Sequence, residues 1–303
     1  MVSIKAVRPL VGGLLVALAA AACGATVQHA SYSDPINEAT SAAVNIGLTV
    51  ENGTLRALSP ADDNLFTADI DYIGDITHSA TGGAQRSITL RENTNLQNTS
   101  GDTMAWTLGL SPLVPLDLSL GVSSGYLDAD LTDLQLHSLG LAVSSGRSDL
   151  TTPLSDTLID TTASVSSGIL NLNVPAGSSV SVTSATVSSG QMTINVTGGA
   201  TFALETVAIS SGEFDLNVGD NLSVASSIDI SSGTAIVTVP DGTGVQVNVQ
   251  RNSSGTVNLP ENYLKTTEGG SDGEGIWESD NFQGNPLQVV ITLTISSGTF
   301  NVK

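Results

Sequence analysis

The sequence is poor in cysteine, positive charge and aromatic residues. Its one cysteine, Cys23, cannot form an intramolecular disulfide, so no disulfide framework supports the fold. Lysine and arginine together number 9, against 29 aspartates and glutamates, and the formal net charge is −20. A chain of this charge repels nucleic acid and anionic lipid headgroups, so we predict no nucleic-acid partner.

Residues typical of catalytic sites are equally sparse. The three histidines, His29, His78 and His137, are scattered, and no Ser-His-Asp arrangement or metal-ligand spacing surrounds them. The chain has 5 Phe, 2 Trp and 4 Tyr, whereas polysaccharide-acting enzymes built on β-helices usually combine aromatic platforms with paired carboxylates. The sequence therefore predicts a non-enzymatic protein without a cofactor.

Residues 1–22 have the pattern of a secretory signal peptide. Lys5 and Arg8 give a positive start, and residues 10–22 form an apolar, alanine-rich core that is too short to span a bilayer. The sequence Ala-Ala-Ala-Cys ending at Cys23 resembles a bacterial lipobox, although it lacks the usual leucine. We expect lipid attachment at Cys23, which would anchor the protein in the membrane; the alternative is ordinary signal-peptidase cleavage that leaves a free thiol.

Beyond the leader, the chain is organised by a repeat that begins with Ser-Ser-Gly. The tripeptide starts at positions 123, 144, 166, 188, 210, 231, 253 and 296. The spacing is 21 or 22 residues, except for a last step of 43, which is a double step. A period this regular predicts an all-β solenoid, in which each coil is buried only by its neighbours.

Each coil alternates apolar and polar residues after its corner glycine, as in Leu170, Leu172 and Val174. Because successive strand side chains point to opposite faces, the apolar set is expected inside and the polar set in solvent. A second turn containing glycine, often with proline or aspartate, divides the coil. A phase change in the returning run then predicts a third short strand in each coil.

The Ser-Ser-Gly corner has a structural and a catalytic interpretation. We expect the glycine to supply a positive φ for a sharp turn, and the two small serines to allow close approach of neighbouring coils. A catalytic row of serines is the alternative, but no base recurs beside them.

Two regions are candidates for binding. The outward-facing ladder of Asn173, Asn195 and Asn217 is the predicted binding face. Residues 268–277 form an acidic, glycine-rich loop that we expect to cap the open end of the stack. The alternative is a sugar or Ca²⁺ site in this loop. Asp272, Glu274, Glu278 and Asp280 would supply the oxygen ligands, although the loop lacks the ligand order of a known calcium loop.

Composition divides the chain into further segments. Residues 23–42 are small and polar, which indicates a flexible, lipid-anchored tether. Residues 43–110 alternate as strands, with a hairpin signal at Asn52-Gly53, and predict a small N-terminal β-strand subdomain. Residues 111–303 are the predicted β-solenoid repeat domain. Its period is interrupted over 258–285 and then restored by a last coil.

Several runs resemble the toast-rack family. The most specific are Trp-Thr-Leu-Gly-Leu-Ser-Pro-Leu-Val-Pro-Leu-Asp-Leu from Trp106 and Leu-Asp-Ala-Asp-Leu-Thr-Asp-Leu from Leu127. This family and the related bacterial adhesin-like and cell-wall-stress-response domains have N-terminal strands followed by a β-solenoid with glycine-rich corners. The resemblance covers residue 43 to the end. It implies an envelope location and this fold, and it carries no catalytic residues; its usual Gly-x-Gly corner is Ser-Ser-Gly here.

These features together predict a non-enzymatic lipoprotein of the bacterial cell envelope, acting as an adhesin or scaffold for a cell-surface protein or glycan. Two alternatives stay open. One is a polysaccharide-acting β-helix enzyme. The other is an ice- or mineral-binding protein whose Thr/Asn ladder matches a lattice.

The lipid anchor is directly testable. We predict that the protein expressed in a bacterial host carries a diacyl or triacyl mass increment and partitions into membranes. Cys23→Ala should abolish both, because the thiol is the attachment point. Intact mass spectrometry and membrane fractionation of the two proteins make the comparison. An unmodified, freely secreted wild-type chain would contradict the anchor.

Overall fold

The computed structural model describes residues 27–49, 51–93, 104–271 and 273–303. These residues form 25 β-strands in two sheets, so the predicted all-β solenoid is confirmed. The described residues contain no helix long and apolar enough to cross a membrane. Cys23 and Asp272 lie outside the described residues.

The strands fall into three groups along the chain. The N-terminal group is β1 (Gln28–Pro35), β2 (Ser41–Leu48), β3 (Asn52–Ala57), β4 (Asn64–Tyr72), β5 (Ile76–Gly82), β6 (Gln85–Glu92) and β7 (Ala105–Leu110). The regular coils contain β8 (Leu116–Val122), β9 (Tyr126–Asp130), β10 (Leu136–Val143), β11 (Arg147–Thr151), β12 (Ile159–Val165), β13 (Ile169–Val174), β14 (Ser179–Val187), β15 (Gln191–Val196), β16 (Thr201–Ile209), β17 (Glu213–Val218), β18 (Val224–Ile230) and β19 (Thr234–Thr238). The C-terminal group is β20 (Gly244–Asn252), β21 (Thr256–Asn258), β22 (Tyr263–Glu268), β23 (Gly275–Ser279), β24 (Gln288–Ile295) and β25 (Thr299–Val302).

Each regular coil contributes one strand to each sheet. Sheet A has the order β1-β4-β7-β3-β9-β11-β13-β15-β17-β19-β25-β21, and sheet B has the order β22-β23-β20-β24-β18-β16-β14-β12-β10-β8-β2-β6-β5. The predicted third strand per coil is therefore wrong. The returning run is one strand with a register shift, as between Thr161 and Thr162 where β12 pairs with β14. A bulge of this kind changes the alternation without a corner.

The core lies between the two sheets and runs continuously along the stack. The predicted inward residues Leu170, Leu172 and Val174 are fully buried. Their parallel neighbours in β15 are Met192, Ile194 and Val196, so identical positions of successive coils lie in columns. Burial of each aliphatic side chain stabilises the fold by roughly 1.5 to 3 kcal/mol. A single coil cannot bury these side chains by itself, so this stabilisation requires stacked coils.

The corner glycines serve close packing rather than the turn conformation that we predicted. None of the corner glycines 146, 168, 190, 212, 233 and 298 has a positive φ. A Cβ at Gly190 would instead overlap the carbonyl oxygen of Gly168 in the preceding coil. Positive φ occurs at the second turn of the coil, for example 84° at Gly177. The corner therefore requires glycine because backbone lies directly against backbone.

The N-terminal segment is more ordered than its composition indicates. The predicted tether over 23–42 is wrong from Gln28 onward, because β1 pairs antiparallel with β4 and β2 begins at Ser41. The hairpin expected at Asn52-Gly53 is also wrong. The chain there turns a corner of the solenoid, so β2 lies in sheet B beside β8 and β3 lies in sheet A beside β9. The N-terminal strands thus continue both sheets of the repeat domain.

Chain order and spatial order differ at both ends of the stack. The coil of β24 and β25, last in sequence, lies between the coil of β18 and β19 and that of β20 and β21. The coil of β2 and β3 likewise lies between that of β6 and β7 and that of β8 and β9. The double step of 43 residues is thereby explained. The corner at 296 stacks on the corner at 231, and the corner at 253 stacks outside it.

The close approach at the corner predicts a local stability effect. Gly190→Ala should lower the free energy of unfolding by about 3 kcal/mol, because the new methyl group overlaps backbone that cannot move independently. Chemical denaturation monitored by circular dichroism measures the change. The matched control is Ser189→Ala at the exposed neighbouring position, where we expect a change within about 0.5 kcal/mol. Equal effects of the two substitutions would contradict this role of the glycine.

Candidate functional site

The outer face of sheet A carries the predicted binding residues in one continuous ladder. Asn195 donates from Nδ2 to Oδ1 of Asn173 at 3.0 Å, and Asn217 donates in the same way to Asn195 at 2.8 Å. The pairing of β13 with β15 and of β15 with β17 places these residues at equivalent positions. The amides are half-buried. Their mutual hydrogen bonds fix the side chains, so the ladder is a preorganised polar surface.

A charged network lies next to the ladder, toward the N-terminal end of the stack. Asp149 accepts hydrogen bonds from Tyr126 Oη at 2.9 Å, from Arg147 Nε at 3.0 Å and from Asn171 Nδ2. Burial alone raises the pKa of Asp149, but these three donors outweigh it and hold the pKa below its usual value. Asp149 is therefore a carboxylate at neutral pH, and Arg147 offsets its charge.

Farther along the same face, the surface is acidic. Glu213 and Asp215 are two residues apart on β17, and Gln191 Nε2 donates to Asp215 Oδ2 at 3.2 Å. Burial and the neighbouring Asp215 raise the pKa of Glu213. The ladder thus lies beside an ion-paired network at one end and, at the other, an acidic pair whose mutual repulsion outweighs the nearby positive charge of Lys303.

In the predicted cation-binding loop at the C-terminal end, each described carboxylate accepts hydrogen bonds from different donors. Glu274 accepts from the backbone N–H of Ser271 at 3.0 Å, and Asp280 accepts from Asn262 Nδ2 at 3.3 Å. Glu278 accepts from two glutamine side chains, each at 2.7 Å. The described residues contain no group of three or more His, Cys, Asp or Glu side chains arranged to hold a metal ion. Because Asp272 lies outside the described residues, Ca²⁺ binding here stays a prediction.

Two of the three histidines lie on the N-terminal strands, and the third, His137, is exposed on β10. His29 lies on the exposed strand β1 between Asp69 and Asp71, at 3.0 Å from each. His78 lies inside the N-terminal end of the fold, where its Nε2 is 2.9 Å from Asp34 Oδ2 and its ring stacks on Tyr32. His78 therefore joins the outermost strands of the two sheets, β5 and β1, and closes that end.

A buried acidic pair was missed by the sequence reasoning. Glu51 is fully buried. It occupies the corner position that glycine holds in other coils: the carbonyl of Glu51 accepts the N–H of Tyr126 in the next coil, just as the carbonyl of the corner residue Gly168 accepts the N–H of Gln191. Burial, a hydrogen bond with Glu92 and the charge of Glu92 raise the pKa of Glu51 to about 8, from an ordinary value of 4.5. No repeat signal marks this corner, because Ser-Ser-Gly is absent from it.

Stacked coils, two parallel-rich sheets and polar outward ladders define the protein as a β-solenoid. A family model described as the N-terminal domain of toast_rack, DUF2154, matches residues 24–175. The chain therefore belongs to the toast-rack family, as the resemblance implied.

Two solved structures are similar to this chain. A candidate cell adhesion protein from Clostridium sporogenes is 14% identical, with 92% of this chain and 99% of that chain covered and a TM-score of 0.33. A candidate adhesin from Bacteroides fragilis is 12% identical, with 92% of this chain and 97% of that chain covered and a TM-score of 0.43. None of the curated proteins matches the sequence.

The buried acidic pair predicts a pH-dependent stability. The raised pKa means that folded Glu51 keeps a proton that the unfolded chain releases above about pH 4.5. Stability is therefore full below that pH and declines as the pH rises toward 8. Glu51→Gln, which mimics the protonated acid, should equal the wild type near pH 4 and be more stable than the wild type by about 4 kcal/mol near pH 8.

Denaturant titrations at a series of pH values measure this dependence. Glu205→Gln at an exposed position of β16 is the matched control and should keep the wild-type profile. A wild-type profile for Glu51→Gln would contradict the assignment to the pair.

Proposed function

We propose that the protein is a non-enzymatic binding module of the bacterial cell envelope, an adhesin or scaffold whose binding face is the outer surface of sheet A. The observation that carries the proposal is the hydrogen-bonded ladder of Asn173, Asn195 and Asn217. Amides held in a fixed row at the strand spacing of roughly 4.8 Å offer alternating donors and acceptors. A repetitive polar polymer or an extended protein segment can bind to such a row at several points at once.

The neighbouring groups favour binding over chemistry. The carboxylate of Asp149 is held ionised by its donors and by Arg147, while general acid–base catalysis favours a group whose pKa lies near the working pH. Among the residues described, His29 and His78 contact aspartates at the N-terminal end of the fold instead. Both interactions lie away from the asparagine ladder.

The envelope location rests on the sequence. Export by the leader and acylation of Cys23 would attach the N-terminal end of the stack to a membrane. The asparagine ladder would then face outward from the stack at a distance from the lipid. The strongly acidic character of the chain would keep the module from lying flat on anionic headgroups.

A face-specific variant tests the binding role. Replacing Asn173, Asn195 and Asn217 together by lysine turns the row of neutral amides into a row of positive charges and removes its hydrogen-bond acceptors. The matched control places lysine at Ser164, Thr186 and Ala208, which are exposed in sheet B of neighbouring coils. Binding of each soluble protein is measured on insoluble peptidoglycan sacculi and on a panel of bacterial and host-surface glycans.

We expect the wild type and the sheet B variant to bind at least one of these probes, and the sheet A variant to lose about tenfold or more in affinity. Equal binding by all three folded proteins would contradict the assigned face. New reducing or unsaturated ends in a glycan, with Ca²⁺ present, would replace this proposal by the polysaccharide-acting alternative. Thermal hysteresis would indicate the lattice-binding alternative instead.

A further inference from the structure

The two sheets end at different places at the C-terminal end of the stack. Beyond the outermost coil of β20 and β21, sheet B continues with β23 and then β22, whereas β21 is the last described strand of sheet A. Strands in a sheet are roughly 4.8 Å apart, so sheet B extends past sheet A by about the width of two strands. The core-facing side of the β22–β23 hairpin therefore has no opposing strand in the described part of the chain.

The free edge of β21 presents hydrogen-bonding groups of the backbone. Thr256 donates its N–H to Gly298, on the side of β25. Since alternate residues of a strand direct their N–H and C=O groups to opposite sides, the groups of Val257 point away from β25, toward the edge that no described strand covers. Such an edge can accept one more strand.

A cavity of about 510 Å³ lies beside this edge. Val257 and Leu259 line it on the side of β21, and Tyr263 and Trp277 line it on the side of the hairpin. All four are half-buried and pack against the main core. The ammonium group of Lys265 lies 5.1 Å from the ring centre of Trp277. The cavity is thus a slot between a free strand edge and an aromatic wall, and its lining is part apolar and part polar.

The surroundings of the slot are acidic. Residues 256–271 and 273–283 contain five aspartates and glutamates but one lysine. That lysine, Lys265, is paired with Glu268. Glu261 lies in the wall of the cavity, where the described residues give it no ion-pair partner. A ligand with positive charge on either side of an apolar side chain would match this distribution.

We propose that this slot binds an extended basic peptide of another protein, which adds to sheet A as a strand next to β21 and inserts an apolar side chain against Val257 and Trp277. The backbone of such a strand bonds to Val257, its alternate side chains enter the cavity, and its basic residues lie near Glu261. A second copy of the chain fits less well. If two β21 edges paired, each hairpin of sheet B would occupy the space of the other.

Short synthetic peptides provide the probe. A peptide of about eight residues that alternates valine and lysine should bind saturably to the wild type. Calorimetry and the fluorescence of Trp277 measure this binding. Trp106 is 1% exposed and serves as an unperturbed reference. The same peptide with glutamate for lysine should bind about tenfold or more weakly, and a version with a central proline should not form the added strand.

Two substitutions at one position separate the backbone bond from side-chain packing. Val257→Pro removes the N–H on the free edge but no bond to β25, and should weaken binding by about tenfold or more. Val257→Ala keeps that N–H and should bind more tightly than Val257→Pro. Glu261→Lys tests the charge, and should shift preference from the lysine peptide toward the glutamate peptide, a reversal that misfolding cannot produce.

The outcomes are distinct. Tight binding of the lysine peptide that Val257→Pro weakens and Glu261→Lys redirects supports the proposal. Equal loss in Val257→Ala and Val257→Pro overturns strand addition. The absence of binding to folded wild type overturns the peptide partner, and so does a concentration-dependent oligomer that Val257→Pro abolishes, since a second copy would then occupy the edge.

Discussion

The structure depends on backbone-to-backbone contact at the corner of each coil. The second serine of a corner donates its N–H to the first serine of the preceding coil, at 2.6 Å for Ser189 and Ser166, and the following glycine leaves no room for a side chain. This contact fixes the stacking of the coils, and the parallel register of both sheets follows from it. The columns of buried aliphatic side chains and the outward amide ladder are then consequences of the same spacing. The polar surface is as regular as the core because one register sets both.

The sequence allowed much of this arrangement to be predicted, because period and alternation are properties of local geometry. The burial of Leu170, Leu172 and Val174 and the outward direction of the ladder residues both follow from strand alternation. A phase change, by contrast, has two possible causes. A bulge and a corner both shift the alternation of apolar and polar residues by one position. In the returning run the shift is caused by a bulge. Glycine is similarly ambiguous, because positive φ and close packing both select it; the corner uses packing and the second turn uses conformation.

The sequence could not show which coils are neighbours in the folded stack. The corners at 253 and 296 have the same tripeptide, and nothing local records which of them stacks on the corner at 231. The Glu51–Glu92 pair was missed for the same reason. Its two members belong to neighbouring coils, and the repeat period does not show that these coils are neighbours. The C-terminal slot likewise arises from unequal numbers of strands in the two sheets. It became visible only when strand order was known.

The interleaved coils at the two ends of the stack bear on how the chain is made. During synthesis, strands β20 and β21 emerge before β24 and β25, yet they pack outside them. The outermost coil therefore has no native surface to dock against until β24 and β25 have also emerged, and Lys303, next to β25, then bonds to Val237 and Val239 within sheet A. This end of the stack therefore assembles only after β25 has been synthesised. Once these strands have docked, the N–H and C=O groups of Lys303 are both bonded within sheet A, so the segment that follows β25 is held against local fraying.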